Sequence, residues 1–314
     1  MLRISLALVL ASAACYHEGA APPSNKLAPS AEPMVAADPL SFLPLDSDIV
    51  LGIDIRALRA SALWKEYLPR LTQAVGANLA EVQRRCGFDP IQAIDSVTIG
   101  TRTKDTSDTV VVIRGPERDR TVACLQSNVA PGTTVTTVPG DRGVLLVASK
   151  NGARNLATFA DRSTLVLVGA TRSTPDALRA VLRGGAPLRG SQGFVAAFDR
   201  LEPGATMWLV VNGKALIFDQ MAVGGVRPLA MYGTLRVGDG LQGRLHVRLT
   251  TPDEAAKLAG VAQTQIQPAA AMVDRLTATA EGDVMTVAAD MSIDKVRALA
   301  SMLLSVAGSA LTSP

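Results

Sequence analysis

Residues 251–289 read TPDEAAKLAGVAQTQIQPAAAMVDRLTATAEGDVMTVAA. Thr251-Pro252-Asp253-Glu254 is a helix start: Thr caps, Pro takes the first turn where its missing N–H is not needed, and Glu three residues on completes a capping box. Beyond that helix, Leu276 to Ala280 and Val284 to Ala289 are short strands that turn at Glu281-Gly282-Asp283. A helix feeding a long antiparallel hairpin predicts an α+β fold with helices on one face of an antiparallel sheet. Ser292 then caps a terminal helix carrying Val296, Leu299, Leu303 and Val306 near helical spacing. Its apolar stretch, Ala298 to Leu311, falls short of the ~20 residues that a membrane span needs, so it is expected to bury against the sheet.

The same order of elements is legible upstream. After Leu201-Glu202-Pro203-Gly204 comes a strand at Met207-Trp208-Leu209-Val210-Val211, a helical segment near Leu216, and strands at Thr234 to Val237 and Leu241 to Leu249. Earlier still, Leu43-Pro44-Leu45-Asp46 leads into a strand at Asp48 to Ile53. A helical region from about Ala57 to Cys86 follows, expected to divide at Ser61, Pro69 and Gly76. Strands at Ser96 to Gly100 and Thr109 to Arg114 come next, then a short helix through Val122 to Leu125. A hairpin closes this part, with Val135 and Val138 on one arm and Val144 to Ala148 on the other. Two related units are therefore expected, residues 41–200 and 201–314. The first carries an insertion: a strand at Thr164 to Val168, a helix at Pro175 to Leu182 capped by Thr174, and a helix at about Phe194 to Leu201.

Several of these turns and caps carry a resemblance. Leu43-Pro44-Leu45-Asp46, Gly87-Phe88-Asp89-Pro90 before Asp95 to Gly100, Ser173 to Leu182, and Phe194 to Leu201 running into Pro203-Gly204 resemble a group of uncharacterised bacterial envelope lipoproteins of a domain-of-unknown-function family. The resemblance spans most of residues 43–212 and implies an envelope placement and an α+β fold, with no reaction attached.

The N-terminus, MLRISLALVLASAAC, has one positive charge at Arg3, an apolar run from Ile4 to Ala11 and then small residues, the layout of a secretory signal over residues 1–14. Ser12-Ala13-Ala14-Cys15 is similar to a lipobox, in which Cys15 is acylated and becomes the new N-terminus; Ser12 stands where that pattern usually has Leu. Ala11-Ser12-Ala13 also suits ordinary signal peptidase, which would leave a soluble secreted protein beginning at Ala14. The Pro-, Ala- and Ser-rich residues 15–40 form a tether, whose ~25 residues span roughly 28 Å as a flexible coil. The expected location is the cell envelope, lipid-anchored at the outer membrane or periplasmic face.

Of the 314 residues 48% are hydrophobic and 19% charged, which excludes disorder, and 31 Lys and Arg against 28 Asp and Glu, a net charge of +3, argue against a polyanion binder; only 4% are aromatic. The basic residues are scattered arginines, and stacking platforms for single-stranded nucleic acid are scarce, so no nucleic acid partner is expected. With Cys15 set aside, Cys86 and Cys124 meet an oxidising compartment and are expected to pair, a bond closing a loop of about 38 residues and contributing roughly 4 kcal/mol. The alternative is two buried thiols.

Enzyme signatures are sparse. The two histidines are His17 in the tether, beside Glu18, and His246 on the polar side of a strand with Arg244 and Arg248, which is too little for a triad or a zinc site. Gly238-Asp239-Gly240-Leu241-Gln242-Gly243 has the spacing of a dinucleotide fingerprint but precedes a strand, so it reads as a hairpin turn. Ser191 reads as a helix cap, and Trp64 and Trp208 as core. Three acidic spots remain, Asp46 with Asp48, Asp105 to Asp108, and Asp199 with Glu202, all in ordinary settings for solvated acids. The expectation is a non-enzymatic module without cofactor or metal that meets the membrane through its lipid and binds an unknown envelope protein or ligand. The alternatives are an exported hydrolase with an acidic cleft, or a carrier with an apolar cavity.

Overall fold

The structure, a computed structural model, describes residues 38–103, 109–127, 134–137, 145–148, 154–169, 174–183, 187–220 and 226–301. Over these the chain forms β1 (Ile49–Asp54), α1 (Ile55–Ala60), α2 (Ala62–Cys86), α3 (Pro90–Ala93), β2 (Ser96–Thr101), β3 (Thr109–Arg114) and α4 (Arg118–Ser127). It continues with β4 (Thr134–Thr137), β5 (Leu145–Ala148), β6 (Arg154–Phe159), β7 (Thr164–Val168), α5 (Pro175–Leu182), α6 (Gln192–Phe198) and β8 (Met207–Asn212). The last elements are α7 (Ile217–Gln220), β9 (Ala230–Val237), β10 (Gly240–Arg248), α8 (Pro252–Ile266), β11 (Arg275–Glu281), β12 (Val284–Ser292) and a helix α9 over 293–301. The architecture is α+β with antiparallel strand pairing.

Two compact units interleave along the chain. One holds Leu45–Pro69, Ser96–Thr106 and Leu188–Pro314; the other holds Arg70–Asp95 and Ser107–Pro187 with the N-terminal residues through Pro44. The expected division near residue 200 follows chain order. The compact units do not, because β1 pairs with β8, Ile49 opposite Val211 and Ile53 opposite Met207.

In the larger unit the strand order is β11-β12-β10-β9-β8-β1-β2. Its two sheet faces differ because side chains alternate along a strand. Leu209, Val211, Met231, Leu245, Val247, Met285 and Val287 point to one side, where Ala255 and Ala259 of α8 and Phe218 complete a buried cluster. Tyr232, His246, Thr286, Val210 and Trp208 point to the other, and there Phe198 of α6 meets Trp208 edge-on at 5.0 Å between ring centroids. Helices therefore lie on both faces rather than one. The reason is β8 itself, whose successive residues Trp208, Leu209, Val210 and Val211 are apolar on both sides.

In the other unit the order is β3-β7-β6-β5-β4. Ala157 and Leu165 pack with Ile113, Val122, Leu125, Phe159 and Leu167, so α4 closes one face. Strand β6 was not expected from the sequence, since Arg154, Asn155 and Thr158 break its apolar run.

The helix starts are set by local side chains. Thr174 accepts from the Ala177 N–H at 3.1 Å, Ser191 from Phe194 at 3.4 Å, and Thr251 from Glu254 at 3.2 Å. The Glu254 carboxylate reaches back to the Thr250 N–H at 3.0 Å, one residue before the expected capping-box donor. Helix α2 runs unbroken through Pro69 and Gly76, against the expected divisions; only Ser61 separates it from α1. The Ser61 hydroxyl oxygen accepts from the Trp64 N–H at 3.1 Å while its backbone N–H donates to Leu58. Strand β12 runs to Ser292, so α9 begins one residue after it.

Candidate functional site

The polar side of β9, β10 and β12 gathers the chemically useful groups of the larger unit. Register puts Tyr232 opposite His246 and His246 opposite Thr286. The imidazole stacks on the Tyr232 ring with centroids 5.0 Å apart and planes 21° apart, and its Nδ1 lies 2.9 Å from Thr286 Oγ1. Arg200, just past α6, hydrogen-bonds the Tyr232 oxygen, and that bond raises the guanidinium pKa further. His246 was expected as a solvated strand residue. It is instead half-buried, and burial pushes its pKa below the usual histidine value, with Arg244 and Arg200 adding to the shift and Glu202 opposing it.

Farther along the same side lies an open groove of about 410 Å³ lined by Arg236, Asp239, Gln242, Asp274, Asp290 and Ser292 among others. Asp290 accepts from Arg244 Nη1 at 3.0 Å and pairs with Arg275 Nη2 at 2.6 Å, and the Arg244 bond is the first cause of its lowered pKa. Asp274 accepts from the Ser292 backbone N–H and pairs with Lys295 at 3.2 Å; the Ser292 bond is the main reason its pKa is lowered. Arg236 donates to the Pro203 carbonyl at 3.3 Å.

A hydroxyl beside an imidazole is the start of a nucleophile–base pair. Completing it requires backbone donors for an oxyanion. Thr286 sits between β10 and β11, opposite His246 and Thr279, where the peptide groups serve the ladder. Asp290 is held ionised by its bond from Arg244 and Asp274 by its bond from the Ser292 N–H, a setting that suits hydrogen bonding more than proton transfer.

The acidic spots read from the sequence do not form one site. Asp46 pairs with Arg102 at 3.2 Å. Asp48 Oδ2 accepts both the backbone N–H and the hydroxyl of Thr103 at 3.0 Å. Asp199 ends α6 as its C-cap, and Glu202 is exposed three residues on. Asp105 to Asp108 lie outside the described residues, as do Cys15, His17, Glu18 and residues 302–314. Among the described residues no group of three or more His, Cys, Asp or Glu is placed to hold a metal ion, and no helix is long and apolar enough to cross a membrane. Trp208 and Trp64 are half-buried rather than fully in the core.

In the smaller unit Cys86 and Cys124 are joined in a disulfide, with Cα atoms 4.9 Å apart. Arg120, four residues before Cys124, donates to the Gly87 carbonyl at 2.6 Å and lies over the Phe88 ring at 5.6 Å. Gly87 takes φ of +69°, the left-handed turn that ends α2. Tyr232, Thr286, Arg200 and Asp290 were not singled out from the sequence, because each matters only through its cross-strand partner. Strand alternation identifies the side of the sheet for Tyr232, Thr286 and Asp290, whereas Arg200 lies in the turn after α6.

No family model matches the chain, and no curated protein matches it. Among solved structures it is similar to that reported as "Structure of crystal form III of TP0453", with a TM-score of 0.54 and 14% identity over 85% of this chain and 99% of that one. At that identity the likeness speaks for the fold, an α+β fold shared with TP0453.

Proposed function

We propose that the chain is an exported protein held to a membrane of the cell envelope by lipid on Cys15, with residues 1–14 removed and the residues after Cys15 serving as the tether; the expected tether bound at residue 40 is too late, because Pro39–Ser41 form a short 3-10 helix in which Leu40 is fully buried. Its body binds or scaffolds another envelope component without catalysing a reaction. The observation that carries this reading is the Cys86–Cys124 disulfide. Such bonds persist in oxidising compartments and are rare where thiols are kept reduced, which agrees with a secretory signal at the N-terminus.

Recurring connectivity supports a body of two related units, 41–200 and 201–314. The order β1, helices, β2, β3, α4, β4, β5 recurs as β8, α7, β9, β10, α8, β11, β12, with β7, α5 and α6, and the unexpected β6 before them, as the insertion. In both sets the last two strands form a hairpin. A binding role rather than hydrolysis is supported by the ion-paired state of Asp274 and Asp290.

The test is metabolic labelling with an alkynyl palmitate, followed by envelope fractionation. The expected result is a labelled, membrane-bound chain that loses both properties in Cys15→Ser. An unlabelled wild-type chain would overturn the anchor, and alkylatable thiols at both Cys86 and Cys124 would overturn export. Cross-linking in intact envelopes then identifies the partner.

A further inference from the structure

The open groove at the end of β9, β10 and β12 has a volume of about 410 Å³, within the range of small-molecule sites. Most of the charge around it is already matched. Asp290 takes Arg244 and Arg275, and Asp274 takes Lys295 and the Ser292 N–H. Two lining charges of opposite sign are left over. Arg236 is exposed and donates one N–H to the Pro203 carbonyl, and the guanidinium faces no carboxylate among the described residues with the rest of its donors. Asp239, three residues on in the turn between β9 and β10, is exposed and has no ion-pair partner among the described residues.

These two side chains line the same groove without pairing with each other. A Cβ on Gly238, between them, would meet nothing within 4 Å, so the space beside that residue is open. Three residues of chain place their Cα atoms at most about 10 Å apart. Gln242 lies across from Arg236 in register, and its exposed carboxamide offers both donors and an acceptor. A groove whose charges nearly cancel selects neither a polyanion nor a polycation. It suits a ligand that is neutral in sum, carries its two charges apart and has an amide between them.

We propose that this groove binds a short peptide with free ends, its carboxylate on Arg236, its ammonium on Asp239 and its peptide bond on Gln242. An extended di- or tripeptide carries its end charges roughly 6–10 Å apart, which matches the reach between the two side chains. The inference names the ligand class of the binding role proposed above, rests on that reading for its setting in the envelope, and is tested apart from it.

The full chain is titrated with trialanine, and binding is read from the backbone amide resonances of residues 236–242, with those of β1 as the control. The groove resonances are expected to shift and saturate at millimolar peptide while those of β1 stay in place. N-acetyl-trialanine and trialanine amide each lack one end charge and are expected to bind roughly three- to fivefold more weakly, the worth of one exposed ion pair. Asp239→Asn is expected to weaken trialanine by the same factor and leave the acetylated peptide unaffected. Arg236→Gln is expected to weaken trialanine and leave the amide unaffected. Loss of folding cannot imitate that pairing of variant with peptide. Groove resonances that do not move, or capped peptides that bind as well as the free one, would overturn the ligand class and leave the anchored binding module standing, since cross-linking can still trap a partner elsewhere on the body. A chain that binds trialanine but yields neither an acyl label nor a cross-linked partner would overturn that reading and keep this one.

Discussion

Gly52 on β1 faces Trp208 on β8 across the antiparallel pair, and the indole occupies the space any other residue would need: a Cβ on Gly52 would lie 2.1 Å from Trp208 Cε2. The other side of the indole meets Phe198, whose ring in turn lies 5.3 Å beneath the Arg189 guanidinium. Glycine is therefore required in the middle of a strand, where it is otherwise unfavourable. Gly52→Ala is expected to displace the indole and cost about 2 kcal/mol, as overpacking does. Urea unfolding followed by Trp208 emission checks this, and an unchanged midpoint would contradict the packing.

The Cys86–Cys124 bond closes a 38-residue separation. In the chain-entropy account, replacing both cysteines by serine lowers stability by about 4 kcal/mol, mainly by loosening the unfolded chain. Arg120 holds Gly87 and Phe88 beside the bond, so Arg120→Ala in the oxidised protein is expected to cost only about 1 kcal/mol, the size of one exposed hydrogen bond. Comparing the two unfolding midpoints separates the covalent from the non-covalent support.

What the sequence discloses and what it withholds follow from the range of each interaction. The caps at Thr174, Ser191 and Thr251 are legible because the donor and acceptor are three residues apart. The pairing of Cys86 with Cys124 is legible because only two cysteines remain once Cys15 is assigned to lipid. Strand β9 begins at Ala230, four residues before the expected start, because β8 and β10 flank it on both sides and supply ladder partners that local propensity does not reveal. The His246, Tyr232 and Thr286 alignment depends on register between strands up to 54 residues apart, and a slip of one residue would turn each to the opposite side. The break at Ser61 was expected and is present, whereas Pro69 lies within an uninterrupted helix.

His246 makes stability depend on pH in a stated direction. Burial lowers its folded pKa below the unfolded value. The unfolded chain therefore takes up a proton first as pH falls through about 6.5. The neutral ring's contribution is fully present above that value, declines below it, and levels off beneath the folded pKa. His246→Gln is expected to flatten the stability profile between neutral and mildly acidic pH. Chemical denaturation of both chains at a series of pH values checks this, and identical slopes would contradict the burial of the ring.

Strand β11 is the outer strand of its sheet, and the outward Ala278 N–H donates to Gln263 Oε1 of α8 at 2.8 Å. An edge strand with free amides is a template for another chain. The Gln263 carboxamide fills one of those amides from the side and so blunts the edge. Gln263→Ala leaves the donor to water and is expected to lose about 1 kcal/mol of stability. It is also expected to promote self-association through β11 as concentration rises. Gln263→Glu keeps an acceptor at the same reach and is expected to remain as monodisperse as the parent. Sedimentation velocity on the three chains distinguishes a guard from a passive contact, because a passive contact predicts that alanine lowers stability without changing the association state.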